Sequence, residues 1–250
     1  MGLRDRGMRG LSAPARILVY SAVLALTAGW VNAVAILTLA VPVGNLTGVT
    51  TQIGMDTAHP WRYESHVLGA ILLGFLIGAA ISGSVLVSPR TPLGTRHATV
   101  LTLEAVLLLA AAAGVTADKT QIALFGIEET AVQALFAAAA LGMQNGLTSS
   151  FREMAVRTTH FTGTVTDLGL MLGRSRQHGF DKWKAAVLAA TLLLFITGAV
   201  GGLVAGAKFD GYALIVPAGI CLMVGSANLA LARQRRQRSD SSQRSSTPRP

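Results

Sequence analysis

Leu46-Thr47-Gly48-Val49-Thr50-Thr51-Gln52-Ile53-Gly54 recurs later in the chain as Phe161-Thr162-Gly163-Thr164-Val165-Thr166-Asp167-Leu168-Gly169. Thr, Gly, Thr and Gly match in place, and Gln52 faces Asp167. Polar residues in this order are not an accident of composition, so the match reads as an internal duplication. It extends outward on both sides. Upstream, Gly29-Trp30-Val31-Asn32 lies against Gly142-Met143-Gln144-Asn145. Downstream, Leu72-Leu73-Gly74-Phe75-Leu76-Ile77-Gly78-Ala79 lies against Leu192-Leu193-Leu194-Phe195-Ile196-Thr197-Gly198-Ala199.

The flanks of both copies are long apolar runs. Of the 250 residues, 51% are hydrophobic and only 13% charged, with a mean hydropathy of +0.52. A soluble domain carries about 25% charged residues. About 20 apolar residues are needed to cross the hydrocarbon core of a bilayer as a helix. Six stretches meet that length, at about 17–41, 66–87, 97–116, 130–150, 185–207 and 211–232. Gln121–Ile127 is apolar but too short. The first stretch, about 25 residues, exceeds the 7–15 of a signal-peptide core and reads as the first span. Each half then holds three spans, about 17–116 and 130–232. An odd number inverts the second half relative to the first, an architecture common among secondary transporters. The expected fold is all-α: a polytopic bundle of six transmembrane helices, a 3+3 inverted repeat with a short Thr-Gly helix or re-entrant segment in each half.

Charge supports that count. Placing the N-terminus in the cytoplasm puts Arg4, Arg6, Arg9 and Arg16, then Arg90 and Arg96, then Arg152, Arg157, Arg174, Arg176, Lys182 and Lys184, then the tail, on one side. Of the 21 basic residues, only Arg62, Lys119 and Lys208 fall opposite. Cytoplasmic loops carry such an excess of Lys and Arg. Both termini are therefore expected inside: a basic N-terminus (1–16), a membrane domain (17–232) and a disordered basic tail (233–250).

Ala28-Gly29-Trp30-Val31-Asn32-Ala33, Asn45-Leu46-Thr47-Gly48-Val49-Thr50, Gly142-Met143-Gln144-Asn145-Gly146 and the block Val156-Arg157-Thr158-Thr159-His160-Phe161-Thr162-Gly163-Thr164-Val165-Thr166-Asp167-Leu168-Gly169 together resemble the YoaK-type family of bacterial inner-membrane proteins. The resemblance spans roughly 17–232. It implies a location in the bacterial cytoplasmic membrane and a fold, and no reaction. Many members of that family carry Asp or Glu near the position of Asn32, where this chain is uncharged, so the resemblance implies no proton-coupling role there.

Candidate site residues follow from the spans and the repeat. Thr47, Gly48, Thr51 and Gln52 in the first Thr-Gly segment, and Thr162, Gly163, Thr166 and Asp167 in the second, are candidates for solute or ion binding. Thr47 and Thr162 are placed to cap their helices. Helix N-termini and hydroxyls facing each other across a repeat axis bind substrate in broken-helix transporters. The structural alternative is an amphipathic interfacial helix that only packs the bundle. Asp167 is either a buried functional acid or half of a surface ion pair with Arg157 or Arg174. Glu104 sits inside the third span, where a charge costs on the order of 3 kcal/mol, so it reads as a proton carrier or as a neutral acid bonded to a neighbouring helix. Asn32, Gln144 and Asn145 are polar amides in spans one and four that either glue helices or line a cavity. The Gly74/Gly78 and Gly198/Gly202/Gly206 series permit close helix approach within the bundle, and, as a second reading, a homodimer.

Enzyme constellations are absent: there is no Gly-x-Ser-x-Gly, His-Glu-x-x-His or phosphate loop, and Ser65-His66 stands isolated. One cysteine and five scattered histidines offer no metal-ligand spacing, so no cofactor or metal is expected. The Arg233, Arg235, Arg236 and Arg238 cluster, with no interleaved aromatics, suits anionic lipid and not nucleic acid. The expected function is a secondary transporter or permease for a small solute, with a non-transporting membrane scaffold or partner subunit as the alternative.

Overall fold

The computed structural model describes residues 13–58, 65–86, 94–114, 129–150 and 158–245. Among them every regular element is helical. The long helices are α1 (Ala13–Leu39), α3 (Ser65–Val85), α4 (Thr95–Gly114), α5 (Glu129–Ser149), α7 (Lys182–Phe209) and α8 (Ile215–Ser245). The short ones are α2 (Leu46–Ala58) and α6 (Phe161–His178), and a 3-10 turn at Asp210–Leu214 joins α7 to α8. The stretch Gln121–Ile127 and Arg157 lie outside the described residues.

Helix ends follow local chemistry. Pro42 has no amide proton and disfavours helix at the residue before it, so α1 cannot continue. Ala40 takes the left-handed conformation, φ 57°, at that stop. Asp210 does the same at the end of α7, φ 53°, and its amide donates to the Gly206 carbonyl. The indole of Trp30 donates to the Ala213 carbonyl at 2.9 Å and ties the 3-10 turn to α1. Composition predicts a disordered tail from residue 233, whereas α8 runs on to Ser245. Arg and Gln favour helix, and no Gly or Pro lies between Gly225 and Pro248 to stop it.

Two helix pairs dominate the packing, α1 with α7 and α3 with α5, and α4 lies against α5 and α8. Glycine sets the closeness of both pairs. A Cβ at Gly29 would overlap the Phe195 carbonyl, and one at Gly198 would overlap the Leu26 carbonyl. In the other pair, a Cβ at Gly142 would overlap the Phe75 carbonyl and one at Gly78 the Ala139 carbonyl. Gly29 matches Gly142 in the sequence repeat, and Phe195 matches Phe75. The same backbone contact is thus made twice, each time between one half and the other.

The interior combines large apolar residues such as Leu24, Ile71, Leu101 and Leu141 with small and polar ones, while the exterior is largely apolar. Buried positions of α3 include Gly74, Gly78 and Ser82, and those of α7 include Gly198, Gly202 and Gly206. Leu73, Leu76, Leu193, Val200, Val204 and Met223 are all more than half exposed. Apolar area on this scale is not left to water. Four stretches are long and apolar enough to cross a membrane: Leu18–Leu39, Ser65–Val85, Thr95–Gly114 and Lys182–Gln234. The last is 53 residues, which as one rod would reach about 80 Å at 1.5 Å per residue. The break at Asp210 divides it between α7 and α8. Helix α5 has the length, 21 residues, but is not among the four; its last turns carry Gln144, Asn145, Thr148 and Ser149.

Candidate functional site

In each half an amide side chain pulls the chain back toward the middle of the bundle. After α1 ends, the Gly44 amide donates to Asn32 Oδ1 at 2.9 Å. Asn32 lies seven residues before the end of α1, about 10 Å along its axis. After α5, Asn145 Nδ2 donates to Thr159 Oγ1 at 3.0 Å and to the Leu141 carbonyl at 2.9 Å. Its neighbour Gln144, fully buried, donates to Thr158 Oγ1 and to the Leu24 carbonyl and accepts from Thr27 Oγ1. Gln144 thereby joins α5, α1 and the segment leading into α6. Both short helices therefore start beside the interior of a long helix, not beyond its end.

Those two starts face one cavity of about 360 Å³. From α2 come Asn45, Leu46 and Thr47, with Gly44 before them. From α6 come His160, Phe161 and Thr162, with Thr159 before them. Helix α5 contributes Asn145, Gly146 and Ser149, and α3 contributes Phe75 and Ala79. Phe75 is ten residues from either end of α3, while Asn145, Gly146 and Ser149 belong to the last turns of α5, so the cavity reaches from the mid-height of α3 to the end of α5. Among the described residues, no lining residue is acidic, and none is Lys or Arg.

The two helix starts differ electrostatically. The first amides of any helix lack partners within it, and the helix dipole adds partial positive charge there. At α2 the Asn45 side chain accepts from the Gly48 amide at 3.1 Å. At α6 the N-cap is His160, which makes no capping bond, and its ring lies against Gly163. Thr47 and Thr162, expected as caps, are two residues past the cap position: each is the second residue of its helix. Instead their carbonyls accept from Thr51 Oγ1 and Thr166 Oγ1, at 2.9 and 2.8 Å.

The candidates separate accordingly. Thr47, Thr162 and Asn145 line the cavity. Asn32 borders it through Gly44. Gly48 and Gly163 pack against the residues at their N-caps. Gln144 sits one layer behind. Thr51 and Thr166 are exposed, and Gln52 Oε1 is buried without a donor, outside the cavity lining. Asp167 is half-exposed and pairs with Lys184 at 3.7 Å, not with Arg174. Glu104 is buried on α4, where the Cys221 thiol of α8 bonds its carboxyl, and its Oε2 has no partner; it is not part of the cavity lining either. Sequence reasoning passed over Asn45 and His160 as N-caps, and Phe75 and Ala79 as lining. The N-caps were findable, since they directly precede the matched segments. The α3 residues carried no signal beyond an apolar run.

No curated protein and no solved structure matches the chain. A family model described as "Protein of unknown function (DUF1275)" matches residues 20–227, which takes in both Thr-Gly helices and every cavity residue. The chain belongs to that family.

Proposed function

We propose that the protein is a secondary permease for a small solute, built as two inverted three-span halves in a bacterial cytoplasmic membrane with both termini cytoplasmic. The observation that carries this reading is the convergence of two helix N-termini, one from each half, on a partly polar cavity that reaches the mid-height of α3. Broken helices that begin at the centre of a bundle, between repeats, are the recurrent construction of solute sites in secondary transporters. The reciprocal glycine contacts of α1 with α7 and of α3 with α5 support the inverted repeat. The basic bias, the split of the 53-residue apolar stretch at Asp210 and the length of α5 support six spans. The resemblance to YoaK-type proteins supports the location. The Arg233 cluster, in the C-terminal half of α8, would meet anionic headgroups at the inner face.

The test is solute uptake by the purified protein in proteoliposomes. A solute whose flux falls when Asn145 or Thr162 is replaced supports the permease. If a broad solute panel gives neither flux nor binding, the permease reading fails and the scaffold alternative takes its place. Reporter fusions test topology separately, and a reporter placing the loop between α5 and α6 outside would end the inverted model.

A further inference from the structure

A second polar site stands apart from the solute cavity. Glu104 lies at the mid-height of α4, nine residues from its start and ten from its end. It is 1% exposed and takes no part in the cavity lining. The Cys221 thiol of α8 bonds its carboxyl, and Oε2 has no hydrogen-bond partner. The Tyr20 hydroxyl of α1 lies within electrostatic reach of the carboxyl and beside the Asn228 side chain of α8. Asn228 is also 1% exposed, and its Nδ2 has no acceptor. Helices α1, α4 and α8 thus turn polar groups toward one buried point.

The other titratable groups on the surrounding elements stand away from it. His97 is two turns before Glu104 on α4, and α5 has none between Thr130 and Ser149. On α3 there is only His66, and it is exposed, as are Asp210 and Tyr212 of the 3-10 turn. Among the described residues no three His, Cys, Asp or Glu side chains come together, so the cluster lacks the ligand set of a metal. A buried acid at mid-span with a thiol, a phenol and an amide around it is held as the neutral acid. Burial at Oε2 leaves room for nothing larger than a proton.

We propose that Glu104, with Tyr20, Cys221 and Asn228, is a proton-binding site; on the permease reading, its proton is the coupling ion. The proton leaves for bulk water when the three helices part locally, and one carboxylate stays behind. Cys221, Tyr20 and Asn228 Nδ2 are then the donors that the carboxylate requires. The site is joined to the cavity through one face of α1. Tyr20, Leu24 and Thr27 share that face at helical spacing. Thr27 Oγ1 reaches Gln144 Oε1 at 3.2 Å, and the neighbouring Asn145 lines the cavity.

The experiment is infrared spectroscopy of the full chain in lipid vesicles, with the proton itself as probe. At neutral pH the protein should show the C=O stretching band of a protonated carboxyl, and Glu104→Gln should lose it. The band should shift in D2O and vanish reversibly as pH rises, while the helical circular-dichroism signal holds. Cys221→Ala removes a donor from the carboxyl and should raise the frequency of the band, which assigns it even if Glu104→Gln fails to fold. Asp167→Asn should leave it unchanged. Absence of any band that depends on Glu104 or Cys221 would mean an ionised, paired carboxylate and would overturn the proposal. A band that neither shifts in D2O nor titrates before the helices unfold marks a sealed structural acid and overturns it equally. The permease fails separately: a solute panel without flux leaves this band in place, and solute flux without the band leaves a permease that lacks this proton site.

Discussion

Adding one methyl group to α3 should have opposite effects at two positions five residues apart. A Cβ at Gly83 meets nothing within 4 Å, while a Cβ at Gly78 lands on the Ala139 backbone carbonyl of α5. Real Cβ atoms stay at least 3.0 Å from such an atom. Because the obstacle is backbone and not the tip of a side chain, α3 and α5 must part. Atoms along the crossing that separate by 0.5–1 Å lose roughly a quarter to a half of their dispersion attraction. Overpacking of this kind costs about 1–3 kcal/mol, and the gain from alanine's helix propensity returns at most about 1. Gly83→Ala receives that gain with nothing against it. The assay is reversible denaturation in mixed micelles, followed by circular dichroism. Gly78→Ala should lower stability by on the order of 1–2 kcal/mol, and Gly83→Ala should leave it unchanged or raise it by up to about 1. Gly198→Ala, which meets the Leu26 carbonyl in the matching contact, should behave as Gly78→Ala does. Equal stability of the Gly78 and Gly83 variants would refute the described approach of the two helices. Sensitivity at Gly78 but not Gly198 would refute the reciprocity of the two halves.

Gln144→Leu keeps the side chain's bulk but removes the donor to Thr158 Oγ1, while Thr27 Oγ1 and the Leu24 carbonyl still bond each other at 2.8 Å. A buried group left unpaired costs about 1–3 kcal/mol, so the same assay should show a loss of that order, and a loss under about 1 kcal/mol would mean that water replaces the amide. Asp167→Asn and Thr166→Ala should each shift stability by no more than about 1 kcal/mol, because the ion pair is exposed and the hydroxyl serves only its own helix. Solute binding measured beside them should not change. Glu104→Gln preserves size and removes the acid while leaving the cavity intact. If Glu104 carries protons, uptake driven by a pH gradient should collapse in this variant while equilibrium binding persists; undiminished uptake would assign Glu104 a purely structural role.

Much of this arrangement is legible in the chain alone. Apart from the end of α8, the long helices begin and end within a few residues of the apolar stretches, since a run of twenty apolar residues is a local property. Pro42 marks the stop of α1 for the same reason. The two Thr-Gly segments declare themselves as helices by their spacing and by their repetition. Function at those segments is harder to apportion. Thr51 and Thr166 share the polar pattern of Thr47 and Thr162, yet one turn along the helix sends their hydroxyls to their own backbone. Asp167 is the obvious acid of its segment, but it lies two turns from the start of α6 and reaches Lys184 instead. Composition suggests a disordered tail, while helix propensity at Arg and Gln carries α8 on to Ser245.

The sequence by itself determined an all-helical chain with membrane-length apolar runs, an internal sequence match, and the short helix within each matched segment. These depend on composition and on periods of a few residues. Tertiary structure decided which copies meet. Glycines in α1 and α3 are recognised only by the carbonyls of α7 and α5, contacts made between residues more than sixty positions apart. It also decided that Asn32 and Asn145 draw both short helices inward to one cavity, and that Glu104 stands elsewhere. Burial and long-range pairing fix such choices, and neither leaves a mark in the local pattern of a chain whose interior and exterior are both apolar.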